Sequence, residues 1–221
     1  MVELYMTDLS WEDDAEAQCE TLVAEALLVA PDRPEPLQTL ASVRISQLRP
    51  EEARTALARS MELWKDLAPE DPLVPDYATR ISLSRLLMEA GMEDEALEVL
   101  ERLVLEDDQS VEAWYLGGWC QYLMAQKAAE ALQGKGKADE NTDEEVAAAA
   151  KTRLKQSKDW LENSLKLYAL LEYEDDRLKD HAEELVGEIK ASLGDAGEEE
   201  GSDDGEWEDA EDEEDEEMEG T

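Results

Sequence analysis

Apolar residues recur through most of this chain at the three- and four-residue spacing that places them on one face of an α-helix. No stretch shows the strict alternation of apolar and polar residues that is typical of strands. Proline and glycine fall between the helical stretches, where they favour helix ends. The pattern predicts helices at about 12–29, 35–48, 51–67, 74–90, 93–106, 110–126, 143–172 and 175–192.

The predicted helices pair, and the pairs repeat at about 34 residues, the period of tetratricopeptide repeats. Such repeats carry small residues where their two helices cross and large residues beside them. Residues 77–110 fit well in their second half and depart at Arg80. Residues 34–67 depart at Arg44, and their link to the next repeat is several residues too long; each arginine stands where the pattern has a large residue. The matching positions are Leu83, Ser84, Leu87, Gly91, Ala96, Leu100 and Leu103, and Leu37, Leu40, Ala41, Ala53, Leu57 and Ser60.

A third repeat begins at Val111 and is interrupted. Its first helix should turn near Ala125, but an insert at about 127–150 follows before the second helix resumes. The insert is either a solvated extension of a helix or a flap over a ligand. An earlier half repeat ends near Pro31, so we expect the first repeat to be incomplete.

Three tandem units at this period predict an all-α fold, a tetratricopeptide-repeat superhelical solenoid over residues 1–194 whose first helices line a concave surface. Residues 195–221 contain 17 acidic residues and no lysine or arginine. Such a segment buries too little apolar surface to offset the entropy of ordering, which predicts a disordered acidic tail.

The net charge of the chain limits the classes of molecule that it can bind. The chain has a formal net charge of −40, and the tail's −17 leaves −23 on the solenoid. This charge repels nucleic acid phosphates and anionic membranes, and it favours a basic protein as partner. No apolar run approaches the roughly 20 residues that span a bilayer, and the N-terminus lacks a basic start. We expect a cytoplasmic or nuclear protein.

Residues with catalytic or metal-binding chemistry are few. The single histidine, His181, lies on a polar helix and is expected to be exposed. Cys19 and Cys120 lack the spacing of a zinc site and are expected to be buried thiols. The glycines at 134–136 follow no strand and form no phosphate loop. The sequence therefore predicts no enzyme, no metal and no cofactor, and it leaves the oligomeric state open.

The segment EAWYLGGWCQYL at 112–123 carries two stripes when it is placed on a helix. Trp114, Gly117, Gly118 and Leu123 should face the partner helix. The other stripe either lines the groove or packs on the next repeat, and both alternatives remain open. The groove candidates on this stripe are Glu112, Tyr115, Trp119 and Tyr122. The equivalent positions in earlier units are less distinctive, and an ordinary surface or packing role is the favoured interpretation for each: Glu35, Gln38, Ser42, Ile45, Ile81, Arg85, Met88 and Glu89. Of these, Glu112, Tyr115, Trp119, Tyr122, Met88, Glu89, Gln38 and Ser42 are the predicted partner-binding residues.

The same segment, together with WLENSLKLYALLEYEDDRLKDHAEELVGEI at 160–189 and the EWED of the tail, resembles the fungal dedicated assembly chaperones of large-subunit ribosomal protein number four. The resemblance covers about residues 15–221. It implies a solenoid that captures its basic ribosomal client during translation, grips the client's long internal loop and escorts it to nuclear pre-ribosomes. A histone chaperone and a general tetratricopeptide scaffold are the alternatives, although a carboxylate-clamping adaptor needs basic groove residues and only Arg85 is well placed.

Overall fold

The computed structural model describes residues 1–134 and 140–194, and the regular elements in these ranges are all α-helices. They are α1 (Val2–Met6), α2 (Ala15–Val29), α3 (Pro34–Ser46), α4 (Pro50–Glu62), α5 (Tyr77–Glu89), α6 (Glu93–Glu106), α7 (Val111–Gly134), α8 (Glu140–Leu170) and α9 (Asp176–Leu193). The predicted all-α class is confirmed.

The helices pack in two layers. α3 pairs with α4, α5 with α6 and α7 with α8, as the repeat pattern predicts. The odd-numbered helices also contact one another in sequence, from α1 through α3, α5 and α7 to α9. The molecule is thus a tetratricopeptide-type solenoid in which the odd-numbered helices form one continuous layer.

Most helix boundaries agree with the sequence pattern, and the differences have local causes. α1 was not predicted, because its five residues are too few to show a helical period. α4 ends at Glu62, and a proline-containing connection leads to α5. α5 begins only at Tyr77, where the Asp76 carboxylate accepts a hydrogen bond from the Thr79 amide at 2.7 Å and caps the helix.

The predicted turn near Ala125 is wrong. α7 continues to Gly134, and α8 begins at Glu140, so helix occupies most of the predicted insert. Alanine-rich sequence after Ala125 holds no proline or glycine before Gly134, and alanine has the highest helix propensity. Residues 135–139 and the predicted tail, 195–221, lie outside the described residues, so the flap, the tail and the domain boundary stay predictions.

α7 and α8 approach closely because small residues line their contact. A Cβ added at Gly118 would lie 2.6 Å from Leu161 Cγ and 3.1 Å from the Leu161 backbone nitrogen. Ser157 Oγ donates to the Gly118 carbonyl at 2.7 Å, and Ser164 Oγ donates to the Val111 carbonyl at 2.8 Å. These serines are fully buried, so each hydroxyl satisfies its hydrogen-bonding need across the helix pair.

Ion pairs explain the two arginines that depart from the repeat pattern. The buried Arg80 guanidinium donates two hydrogen bonds, of 2.7 and 2.6 Å, to the Glu106 carboxylate at the end of α6. Arg44 binds the Glu20 carboxylate of α2 and thereby ties the half repeat to the first full one. Both arginines bury their aliphatic stems where the pattern has an apolar side chain.

Both cysteines are buried free thiols, as predicted. Burial raises the pKa of Cys120 to about 12, so this thiol stays protonated at physiological pH. Within residues 1–134 and 140–194, no helix has the length and apolarity that a membrane crossing requires.

Replacing Gly118 with alanine tests the close crossing. We expect Gly118→Ala to lower the free energy of unfolding by about 1–3 kcal/mol, since the added methyl overpacks the Leu161 contact. The matched control is Gly187→Ala in α9, where nothing lies within 4 Å of the added Cβ. This control should be neutral or more stable by up to about 1 kcal/mol, through helix propensity. Urea unfolding followed by circular dichroism measures both, and equal effects would contradict the assignment.

The Arg80 pair predicts a pH dependence of stability. Hydrogen bonding to Arg80 lowers the pKa of Glu106 below its ordinary value of 4.5. Because the folded pKa is the lower one, the stabilisation is present above pH 4.5 and is lost as the pH falls through the folded pKa. Glu106→Gln should therefore cost about 1–3 kcal/mol near pH 7 and progressively less in acid. Urea unfolding between pH 7 and pH 3 tests this, and a pH-independent difference would refute it.

Candidate functional site

A groove runs along the layer of odd-numbered helices. It contains two open cavities: the α3 cavity, of about 420 Å³, between α1, α3 and α5, and the α7 cavity, of about 520 Å³, between α5, α7 and α9. Arg85 and Glu89 of α5 line both cavities, so the two are parts of one surface. We call this surface the groove.

The aromatic stripe of α7 contacts α9. The Tyr115 hydroxyl lies 2.7 Å from Nδ1 of His181, and the Trp119 ring meets the His181 ring edge to face at 5.1 Å. The Tyr122 hydroxyl donates to the Glu188 carboxylate. The expectation of an exposed His181 is wrong, because the two aromatic rings of α7 half-bury it.

Burial by α9 changes the chemistry of these phenols. Desolvation raises the pKa of Tyr115 to about 12, and a nearby Asp175 carboxylate adds to the effect. Desolvation and the hydrogen bond to Glu188 together raise the pKa of Tyr122 to about 12. Both hydroxyls therefore stay protonated well above physiological pH, and they serve as structural contacts between helices.

The two alternatives for the α7 stripe are both partly realised. Tyr115 and Tyr122 contribute their hydroxyls to packing against α9. Tyr115 and Trp119 also line the α7 cavity. The stripe thus packs on the next helix and, with the same rings, forms one wall of an open cavity.

The floor of the α7 cavity is apolar and its rim is charged. Met88, Leu116 and Leu178 are buried beneath it, one from each of α5, α7 and α9. Glu89 and Asp175 supply carboxylates to the rim. Arg85 and Arg177 supply guanidiniums to the same rim.

Glu112 carries the first carboxylate of the α7 stripe, and it is already paired. Its side chain forms an ion pair with Arg85 of α5 across the groove. The pair is open to solvent, with 52% of the Arg85 side chain and 26% of the Glu112 side chain exposed. Exposed pairs of this kind contribute little to stability, so this one can exchange partners at small cost.

In the α3 cavity, two predicted residues are already engaged. Gln38 is only 6% exposed, and its amide nitrogen lies 3.3 Å from the Ser60 hydroxyl of α4. Ser42 is partly covered by Met6 of α1, whose sulfur lies 3.9 Å from its hydroxyl. Their roles in partner binding stay predictions, as do those of Met88 and Glu89.

Sequence reasoning missed the residues that α9 contributes. Asp175, Arg177 and Leu178 line the α7 cavity from the start of this helix. The Asp175 carboxylate also caps α9 by accepting from the Leu178 amide at 3.1 Å. The repeat period could have indicated these residues. Extended beyond α8, it predicts the first helix of a fourth repeat, and α9 occupies that position.

The groove as a whole is acidic. Five carboxylates face it, against the two guanidiniums of Arg85 and Arg177. The carboxylates belong to Glu3, Glu35, Glu89, Glu112 and Asp175. Among the described residues, no group of histidine, cysteine and acidic side chains could hold a metal ion. The arrangement suits an extended partner that carries basic and apolar side chains.

Comparison with known proteins finds two fungal relatives of this chain. The chain is 57% identical over 217 residues to an Emericella nidulans protein named probable assembly chaperone of rpl4, and 39% identical over 212 residues to a Schizosaccharomyces pombe protein of the same name. These alignments cover 98% and 96% of this chain but only 55% and 60% of the relatives, so the chain spans little more than half of their length. No protein-family model matches the chain.

A solved structure agrees with the sequence comparison. It is titled assembly chaperone of RpL4 (Acl4), residues 1–338, and superposes with a TM-score of 0.58 at 62% identity. The match covers 59% of this chain and 46% of that one. The resemblance predicted from the sequence is therefore confirmed, and this chain is a homologue of the fungal proteins named probable assembly chaperone of rpl4.

Proposed function

We propose that this protein is a dedicated chaperone of the large-subunit ribosomal protein rpl4, which it holds in the acidic groove through a basic, extended internal loop. The homology carries the proposal, since the relatives are named for assembling rpl4. Two further features support it: the groove is acidic, and residues 1–194 carry a net charge of −23.

The physical role follows from charge competition. A free basic loop binds RNA prematurely or aggregates, because its cations have no fixed partner. Groove carboxylates supply that partner and attract the loop over a distance that salt limits to about 8 Å under physiological conditions. Ribosomal RNA offers a denser array of negative charges, so the client transfers when RNA becomes available. We place capture in the cytoplasm and transfer in the nucleus.

We infer a binding protein rather than an enzyme. Two side chains of α7 with nucleophilic chemistry, the Tyr115 phenol in the groove and the buried Cys120 thiol outside it, are held in their unreactive forms. Burial raises the pKa of Tyr115 and of Cys120 to about 12, which is the opposite of the lowering that activates a nucleophile. The names of the relatives likewise describe assembly, not a reaction.

A histone chaperone is the second candidate, and the acidic segment 195–221 is the observation that favours it. In that case the segment itself would hold the basic partner. An adaptor for acidic peptides is less compatible with the groove, because five carboxylates face it against only two guanidiniums.

Reversing groove charge tests the proposal. We expect the double variant Glu35→Lys, Glu89→Lys to bind purified rpl4 at least tenfold more weakly, because it replaces attraction with repulsion at the client's cations. The control is Glu98→Lys, Glu101→Lys, which makes the same charge change on the exposed face of α6 in the other layer. Calorimetric titration at 0.1 and 0.3 M salt measures the affinities, and wild-type binding should weaken with salt.

Removing residues 195–221 separates the two candidates in the same assay. A groove-based chaperone should keep most of its affinity for rpl4 and show little for histones. Loss of most binding on removal, or equal effects of the two charge-reversal variants, would overturn the proposal. Pull-down from a fungal lysate with mass spectrometry should recover one stoichiometric basic ribosomal protein.

A further inference from the structure

We propose that the α7 cavity is an anchor site for one large apolar side chain that is followed or preceded by a lysine or arginine in the client's extended segment. This proposal rests on the proposed function and deepens it, because it adds a requirement that charge alone does not impose. Its basis is the contrast, within a single cavity, between an apolar floor and a charged rim, where two carboxylates stand beside two guanidiniums and one of these, Arg85, is already paired with Glu112.

The floor supplies the apolar half of the site. Met88, Leu116 and Leu178 are buried beneath an open cavity of about 520 Å³, within the ~300–1,000 Å³ typical of ligand sites. The rings of Tyr115 and Trp119 form a wall that α9 holds in place through His181. A rigid apolar cavity on the face that binds a partner is where burial of a side chain yields affinity at low ordering cost.

The charged groups of the rim determine which kind of partner residue can lie next to the apolar side chain. Glu89 and Asp175 lie at the cavity, and Glu112 lies beside it in its exposed pair with Arg85. An acidic partner would meet these three carboxylates. A partner cation next to the anchor satisfies them, and the net negative charge of the groove favours its approach.

Arg85 occupies the place that a client cation would take at Glu112. Its ion pair is half exposed and therefore weak, so an incoming lysine or arginine can replace it. Arg85 then acts as an internal competitor, and it lowers the affinity for basic segments that lack an apolar anchor. Removing this guanidinium should strengthen binding.

Two labelled synthetic peptides test the anchor. Both are about a dozen residues long and rich in lysine and arginine, and they differ only in a central leucine or serine. Fluorescence anisotropy should give at least about tenfold tighter binding of the leucine peptide, since burying a leucine side chain in the cavity removes its apolar surface from water. Equal affinities, or no binding of either peptide, would overturn the proposal.

The variant Leu123→Glu, in the cavity wall, separates binding by charge alone from binding by an apolar anchor. The two explanations predict opposite changes in the affinity for the leucine peptide. Leu123 is partly buried and lines the cavity, whereas its spacing on the helix predicted a position facing α8. If charge alone binds the peptides, an added carboxylate strengthens the binding of both. With an apolar anchor, the leucine peptide binds more weakly and the preference over serine disappears. Circular dichroism establishes that the variant is folded.

Arg85→Met tests the competitor, with Arg59→Met as its control. Arg59 is exposed on α4, so the control removes the same charge outside the groove. We expect about threefold to tenfold tighter peptide binding by Arg85→Met and little change in the control. Equal changes in both variants would show that Arg85 acts only through net charge, and they would overturn its role at Glu112.

Failure of the anchor and failure of the proposed function are distinguishable. If purified rpl4 binds the wild type while the two peptides bind equally, the anchor proposal fails and the chaperone function stands. If rpl4 does not bind, the proposed function fails.

Discussion

The close crossing of α7 and α8 is the constraint on which the functional surface depends. Gly117 and Gly118 bring the α7 backbone against Trp160 and Leu161, so one face of α7 packs entirely on its partner helix. The aromatic stripe is thereby turned to the opposite face, toward α9 and the groove. A side chain at either glycine would separate the two helices, because neighbouring atoms already occupy its space.

The last helix completes the site that the third repeat begins. α9 holds Tyr115, Trp119 and Tyr122 by hydrogen bonds and ring contacts, and it adds Asp175 and Leu178 to the α7 cavity. A solenoid needs such a terminal helix, since an uncovered last repeat exposes its apolar face. Here the helix that covers the end of the array also forms one side of the groove.

Charge and apolar surface contribute different properties to this groove. The carboxylates attract many basic segments from a distance, but they distinguish poorly among them, and salt weakens them. An apolar cavity acts only at contact and distinguishes by shape and side-chain type. Under the proposed function, their combination in one groove gives fast capture together with selectivity. Arg85 and Glu112, paired across the groove, satisfy part of the protein's own charge.

The sequence alone determined the helical class, the paired repeats and the acidity, because periodicity, small crossing residues and composition are properties of short windows. It also placed Gly117 and Gly118 against the partner helix. It failed at the turn expected near Ala125 and at His181, which it left exposed. Only the tertiary structure decided that Tyr115 contacts His181 and that Arg85 pairs with Glu112, since each pair joins residues from different helices. These residues are far apart along the chain, and only the packing of the helices brings them into contact, so no local sequence pattern could have predicted the pairs.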